Sequence, residues 1–195
     1  MWLALEGVVG AGKTTTAALV GELAGADAAL ERLDDHPLLE AYYRNPSRYA
    51  LETELIFMSI QASQVRDALG GDRLVTDFAP AKNLVFARLE TGGDDLRLLE
   101  LADARLWRDL PRPDLTVVLD VPLDICRERL VARGRPYEQG MALDDLARIR
   151  AGYLEALDSL GASVARLELS GGEEPVEVAR AVMRMAGLEP RAGAA

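Results

Sequence analysis

Short apolar runs along this chain alternate with longer stretches in which apolar residues recur every three or four positions. Trp2–Leu5, Leu74–Thr76, Thr116–Val121 and Val164–Leu169 have the continuous apolar character of buried strands, and Ala28–Leu30 is a shorter candidate. Helical spacing covers Thr14–Leu23, His36–Arg44, Ser47–Leu69, Ala81–Leu89, Asp95–Leu110, Leu123–Val131, Leu143–Leu160 and Pro175–Met185. In the longest of these, Leu51, Leu55, Met58, Ala62, Val65 and Leu69 fall on one stripe. Leu146, Ile149, Tyr153, Leu157 and Leu160 repeat that pattern. Strands separated by helices need crossover connections. The expected fold is therefore α/β: a parallel five-stranded sheet with helices on both faces. Ligands of such sheets sit beyond the carboxyl ends of the strands, so residues just after each strand are where chemistry is expected. With no internal repeat and no linker, residues 1–189 are expected to form one domain, and residues 190–195 a frayed tail.

Composition narrows the function. The 195 residues carry a formal net charge of −10, which argues against binding nucleic acid polymers or anionic membranes. A single cysteine, Cys126, and a single histidine, His36, remove cysteine-rich zinc sites and most histidine-based catalytic clusters. No apolar run approaches the ~20 residues of a membrane span. Apolar residues begin at Trp2 and a glycine loop at Gly7, which leaves no room for a secretory leader. A cytoplasmic protein is expected. Of the 22 basic residues only Lys13 and Lys82 are lysines, so each lysine is a candidate for a chemical requirement.

The first strand runs into Gly7-Val8-Val9-Gly10-Ala11-Gly12-Lys13-Thr14, followed by Thr15 and an apolar helix. This matches G-x-x-x-x-G-K-[ST] in the strand–loop–helix context that gives the motif meaning. Its glycines let backbone N–H groups turn toward a phosphate, and the helix N-terminus adds a favourable dipole. Lys13 would reach the β- and γ-phosphates and the Thr14 hydroxyl would bind Mg²⁺. The acidic partner of that metal should end a neighbouring strand. Asp77 and Asp120 both qualify, and Asp77 is preferred for the residues that follow it. Further along, Arg127, Arg129, Arg133 and Arg135 crowd into nine positions. Arg129 and Arg133 share a helix face, and Gly134 and Pro136 put Arg135 on a loop. Mobile arginines beside a phosphate loop suit phosphoryl transfer, where catalysis is mostly positioning and charge stabilisation. They favour a kinase with a closing lid over a GTPase-type switch.

Val118–Gly140, followed by Leu143, Leu146 and Tyr153, resembles the lid region of the deoxynucleoside kinases. Glu31–Tyr43, Pro46–Ala50 and Asp77–Ala87 resemble three more of that family's segments, the last being like its bacterial purine-preferring branch. The resemblance spans roughly residues 1–170. It implies the P-loop kinase fold with an arginine-rich lid, ATP with Mg²⁺ as the phosphate donor, a nucleoside acceptor and a homodimer formed through long helices. It gives Glu31 the role of base toward the 5′-hydroxyl. Arg129, Arg133 and Arg135 would hold the triphosphate and transition state, Glu138 would close over the sugar, and Phe86 would stack on the base. Tyr43, Phe57, Asp77 and Lys82 would complete the nucleoside site.

Two departures stand out. Most of the family has Arg directly after the third-strand acid, where this chain has Phe78. Much of the family reads the base with Gln and, seven positions on, Arg. Here the pair is Glu54 and Gln61. Both changes remove a cation from the nucleoside pocket, and Lys82, one helical turn after Phe78, is placed to restore one. An ionised Glu54 only accepts hydrogen bonds, which suits the adjacent N1–H and N2–H₂ donors of guanine. The expected activity is phosphorylation of a purine deoxynucleoside. A thymidylate kinase, or a nucleotide-binding regulator without turnover, is the alternative.

Overall fold

A computed structural model describes residues 1–156 and 163–191. The expected sheet is present. Five parallel strands, β1 (Trp2–Glu6), β2 (Asp27–Ala29), β3 (Leu74–Thr76), β4 (Leu115–Asp120) and β5 (Ser163–Glu168), lie in the order β2-β3-β1-β4-β5. The helices are α1 (Lys13–Ala24), α2 (Leu39–Arg44), α3 (Pro46–Ala68), α4 (Lys82–Glu90), α5 (Gly93–Leu106), α6 (Leu123–Arg133), α7 (Leu143–Ala156) and α8 (Pro175–Met185). The chain starts in the middle of the sheet, with β3 on one side of β1 and β4 on the other. The order reverses there, which opens a crevice at the carboxyl ends of β1 and β3.

Alternation along β1 distributes its side chains. Leu3 and Leu5 enter a core with Ala17 and Val20 of α1 and Val182 of α8. Trp2 lies on the other face, packed with Ala62 and Val65 of α3, Leu74, Phe78 and Trp107. Glu6 shares Trp2's face and is 1% exposed at the strand's end. The outer strand β5 is only half-buried, unlike the fully buried run that its sequence suggested, and its Arg166 pairs with Asp120.

Three local expectations are corrected. His36–Arg44 is not one helix: a 3₁₀ turn at Leu33–Asp35 precedes α2, which starts at Leu39. Pro37 disfavours helical geometry at the residue before it, and His36 is extended, with φ −90° and ψ 104°. The His36 ring is buried against Phe57, with centroids 4.3 Å apart. It accepts from the Leu38 N–H at Nδ1 and donates from Nε2 to the Thr53 carbonyl. Helix α5 ends before Trp107, whose ring stacks on Trp2 at 6.2 Å. Arg191, expected to belong to a frayed tail, is instead held, because its N–H donates to the Leu23 carbonyl at 2.7 Å. Leu157, Leu160 and residues 192–195 lie outside the described residues.

Candidate active site

A cavity of about 240 Å³ opens at the crevice and joins the phosphate loop to α2, α3, α4, α6 and α7. Gly7 and Gly10 are needed for steric reasons. Their φ angles are 142° and 89°, and a Cβ on either would come within 2.6 Å of a carbonyl oxygen, of Leu119 and Cys126 respectively. Lys13 curls over the loop and donates to the carbonyls of Gly7 (2.7 Å) and Val8 (3.2 Å). Burial lowers its pKa, with Lys82 adding to the effect and Glu6, Glu31 and Asp77 opposing it. Val9, Gly12, Thr14 and Thr15 also line the cavity, whereas Val8 and Ala11 are packed beneath the loop.

Asp77 joins the two halves of the site. Its Oδ2 accepts from the Thr14 hydroxyl at 2.5 Å, and its Oδ1 accepts from the Glu31 backbone N–H at 2.7 Å. Thr14 and Asp77 thus present two hard oxygen donors side by side, a set that fits Mg²⁺ completing its shell with water and phosphate. Asp120 is engaged elsewhere, by Arg150 and Arg166.

The Glu31 carboxylate is held from two directions. Gln61 Nε2 donates to Oε1 at 2.8 Å, and Lys82 forms a close ion pair with the same oxygen. Burial disfavours charge on Lys82, but Glu31 and Glu6 outweigh it and raise its pKa. Its Nζ lies 5.3 Å and 6.0 Å from the centroids of Phe57 and Phe86. Phe78 is fully buried in the core with Trp2. The cation beside Glu31 therefore comes from α4, not from the position after the strand acid.

Gln61 was expected to read the base and does not line the cavity. It is fully buried and spans Glu31 and Asn83, whose Nδ2 donates to its Oε1 at 2.7 Å. Its neighbours turn it into a brace for the Glu31 carboxylate. Glu54 and Phe57, on the same face of α3, do line the cavity. Glu54 is 3% exposed, and burial raises its pKa to about 8. Among the described residues its Oε2 has no hydrogen-bond partner.

The lid arginines separate into different roles. Arg129 donates to the carbonyls of Gly10 (3.4 Å), Ala11 (3.5 Å) and Gly171 (3.0 Å). Arg133 holds Glu138 Oε2 through Nε (3.0 Å) and Nη2 (2.6 Å). Arg135 reaches Glu138 Oε1 at 3.4 Å and does not line the cavity, whereas Arg129, Arg133 and Glu138 do. Tyr43 lines it too, and its ring packs on Tyr137 at 5.1 Å.

Sequence reasoning missed the apolar lining residues Leu33 and Leu39 and four polar residues of the site. Tyr42 and Asn83 line the cavity, and Tyr153, read as part of an apolar stripe, lines it as well. Glu6 lies beneath, accepting from the Ala79 N–H at 2.6 Å and facing the Tyr153 hydroxyl. Burial raises the Glu6 pKa to about 7, against the pull of Lys13 and Lys82. Its position as the last residue of β1, directly before the glycine loop, was the available signal.

A parallel sheet with this strand order, a phosphate loop after its central strand and arginines opposite define a P-loop phosphotransferase. The deoxynucleoside kinase family model matches residues 3–182, and the chain belongs to that family. A deoxyguanosine kinase of Bacillus subtilis is 27% identical over 164 residues, covering 82% of this chain and 79% of the relative. A thymidylate kinase of Bordetella pertussis is 32% identical over 200 residues, covering 92% and 90%. Among solved structures, deoxyadenosine kinase from M. mycoides with bound dATP superposes with a TM-score of 0.82 at 17% identity, covering 96% of this chain and all of that one. No helix among the described residues is long and apolar enough to cross a membrane.

Proposed function

We propose that this enzyme transfers the γ-phosphoryl group of ATP to the 5′-hydroxyl of a purine deoxynucleoside. The observation that carries the reading is the double contact of Asp77, which ties Thr14 of the phosphate loop to Glu31 at one cavity. Glu31 accepts the proton of the attacking hydroxyl, a task that needs an ionised carboxylate within hydrogen-bond reach. Lys82 and Gln61 hold it in place. Thr14 and Asp77 would hold Mg²⁺, which would supply neutralisation of the phosphate charge. Lys13 and Arg129 bind the triphosphate from the loop side, and Arg133 approaches the transferred group from the lid. Arg135 acts through Glu138. Phe86 and Phe57 offer aromatic surface to the base, and Glu54 reads its edge. Tyr43 and Glu138 border the sugar. The same reading implies a cytoplasmic homodimer.

A nucleoside fits better than a nucleoside monophosphate. The acceptor end of the cavity carries Glu31 and Glu54, and its one lysine is already paired with Glu31. A phosphate arriving there would meet carboxylates and a neutralised cation. A regulator without turnover would not need Glu31, Lys82 and Arg133 to converge beside the loop. The test is steady-state phosphorylation of four deoxynucleosides, four ribonucleosides and thymidine monophosphate, with ATP and Mg²⁺. Above about pH 8, where Glu54 is ionised, deoxyguanosine should exceed deoxycytidine and thymidine by about tenfold or more, since a base that leaves Glu54 unmatched is penalised by at least ~1–3 kcal/mol. A preference for thymidine monophosphate, or for a pyrimidine over both purines, would overturn the reading.

A further inference from the structure

Glu54 is unusual among the acids of this cavity. Asp77, Glu31 and Glu138 each have a hydrogen-bonded or ionic partner. Glu54 is equally buried, lines the same cavity, and leaves Oε2 without a partner among the described residues. Its distance from the chemistry is set by α3. Gln61 touches the Glu31 carboxylate, and seven residues separate Gln61 from Glu54. At ~1.5 Å per residue the helix puts Glu54 about 10 Å further along, roughly the span from a nucleoside's 5′-oxygen to the far edge of its base. Phe57 lies between them on the same face.

A carboxyl group here presents two different hydrogen-bonding faces. Ionised, it has only acceptors; protonated, it has one donor and one acceptor. Guanine shows two adjacent donors at N1 and N2, and adenine shows an acceptor at N1 beside a donor at N6. We propose that Glu54 chooses between the two purines by its own protonation, taking deoxyguanosine when ionised and deoxyadenosine when protonated.

The surroundings make both states accessible near neutral pH. Tyr42 faces Glu54 from α2, Glu31 from the loop after β2, Lys82 and Glu90 from α4, and Tyr153 from α7. Glu90 is paired with Arg148, and His36 is engaged by backbone groups. The nearest cation, Lys82, is committed to Glu31. Burial therefore dominates and moves the Glu54 pKa up to about 8, with Lys82 opposing and Glu31 and Glu90 adding.

This inference rests on the purine kinase reading and has a distinct readout. Both purines present the same 5′-hydroxyl to the same base, so every other titration cancels in the ratio of their kcat/KM values. The ratio follows the ionised-to-protonated ratio of Glu54. It should rise about tenfold per pH unit between about pH 6 and about pH 8. Deoxycytidine, whose edge repeats adenine's acceptor and donor, should track deoxyadenosine. Glu54→Gln replaces the titrating group with a permanent donor and acceptor. That variant should favour deoxyadenosine with a ratio that no longer changes with pH.

Calorimetric binding of each purine to the parent enzyme near pH 7, in buffers of different ionisation enthalpy, is a second measurement that needs no variant. Deoxyguanosine should release a proton from Glu54 and deoxyadenosine should not. A pH-independent ratio in the parent, the same slope in Glu54→Gln, or equal proton release by both purines would each overturn the role of Glu54. Those results leave purine phosphorylation standing. No activity on either purine at any pH would instead remove the functional reading, and this inference with it.

Discussion

Replacing Lys82 with Met tests how Glu31, the proposed base, is held. Methionine keeps the length of the stem and an apolar contact with Phe57 and Phe86, so the change removes charge more than volume. The side chains of Lys82 and Glu31 are only 11% and 10% exposed, so the pair is weakly screened by solvent. Two unit charges ~4 Å apart attract by about 4 kcal/mol at an effective dielectric of ~20. Breaking a buried pair from one side costs about 3–5 kcal/mol, because the remaining charge stays buried. Glu31 would keep Gln61 as its nearest donor, with Glu6, Glu54 and Asp77 still around it. If ~3 kcal/mol of that loss reaches the transition state, kcat falls on the order of 10². Single-turnover phosphorylation isolates this step from product release, and Lys82→Arg should restore part of it. A Lys82→Met enzyme that folds and keeps its single-turnover rate within about threefold would refute the reasoning and reduce the ion pair to a packing detail.

Glu31→Gln should leave nucleoside affinity largely intact while cutting the chemical step by roughly 10²–10⁴-fold, as measured by nucleoside binding against single-turnover rate. Lys13→Ala and Arg133→Ala should each lower turnover on the order of 10²–10³, with ATP affinity suffering more from the Lys13 change in equilibrium binding. Arg133→Ala with near-parental turnover would show that the lid does not reach the transferred group. Stability should depend on pH with a negative sign. Burial raises the carboxyl groups of Glu6 and Glu54 from an ordinary 4.5 to about 7 and about 8. The folded chain then holds more protons than the unfolded one across that window, so stability is greatest at its acidic end and falls as pH rises through it, by on the order of a few kcal/mol. Urea unfolding at about pH 5 and about pH 7.5 measures this, and Glu54→Gln should flatten the slope.

Periodicity and spacing carried much of this molecule. The five strands lie within a residue or so of where apolar runs put them, and for β1, β3 and β4 the reason is that a buried parallel strand has few ways to be polar. The glycine loop was legible because its residue types are required by backbone geometry, as the approach of Leu119 and Cys126 to Gly7 and Gly10 makes plain. What escaped depends on contacts between distant segments. Nothing in the order of residues along α3 says that Gln61 turns beneath Glu31 while Glu54 turns into the cavity. Both sit on one helical face, and the difference arises from Asn83 and Lys82 on another helix. Tyr153 read as an apolar repeat because its ring does belong to the core, while its hydroxyl faces Glu6. Lys82 stood out for the rarity of its type and for its place one helical turn after Phe78, and its partner became visible when α4 was placed against the loop after β2.

The two-handed grip of Asp77 has a mechanical consequence. One oxygen holds the threonine of the phosphate loop and the other holds the backbone of Glu31, so a single short side chain sets the spacing between the donor and acceptor ends. Its placement is anchored at the end of β3, the strand that lies between β1 and β2 and is paired to both. A shift of either loop would therefore be passed to the other, which would keep constant the gap that the proposed phosphoryl transfer must cross. Asp77→Glu would preserve charge and chemistry yet add one methylene to that ruler, setting the two ends out of step while leaving each of them individually intact.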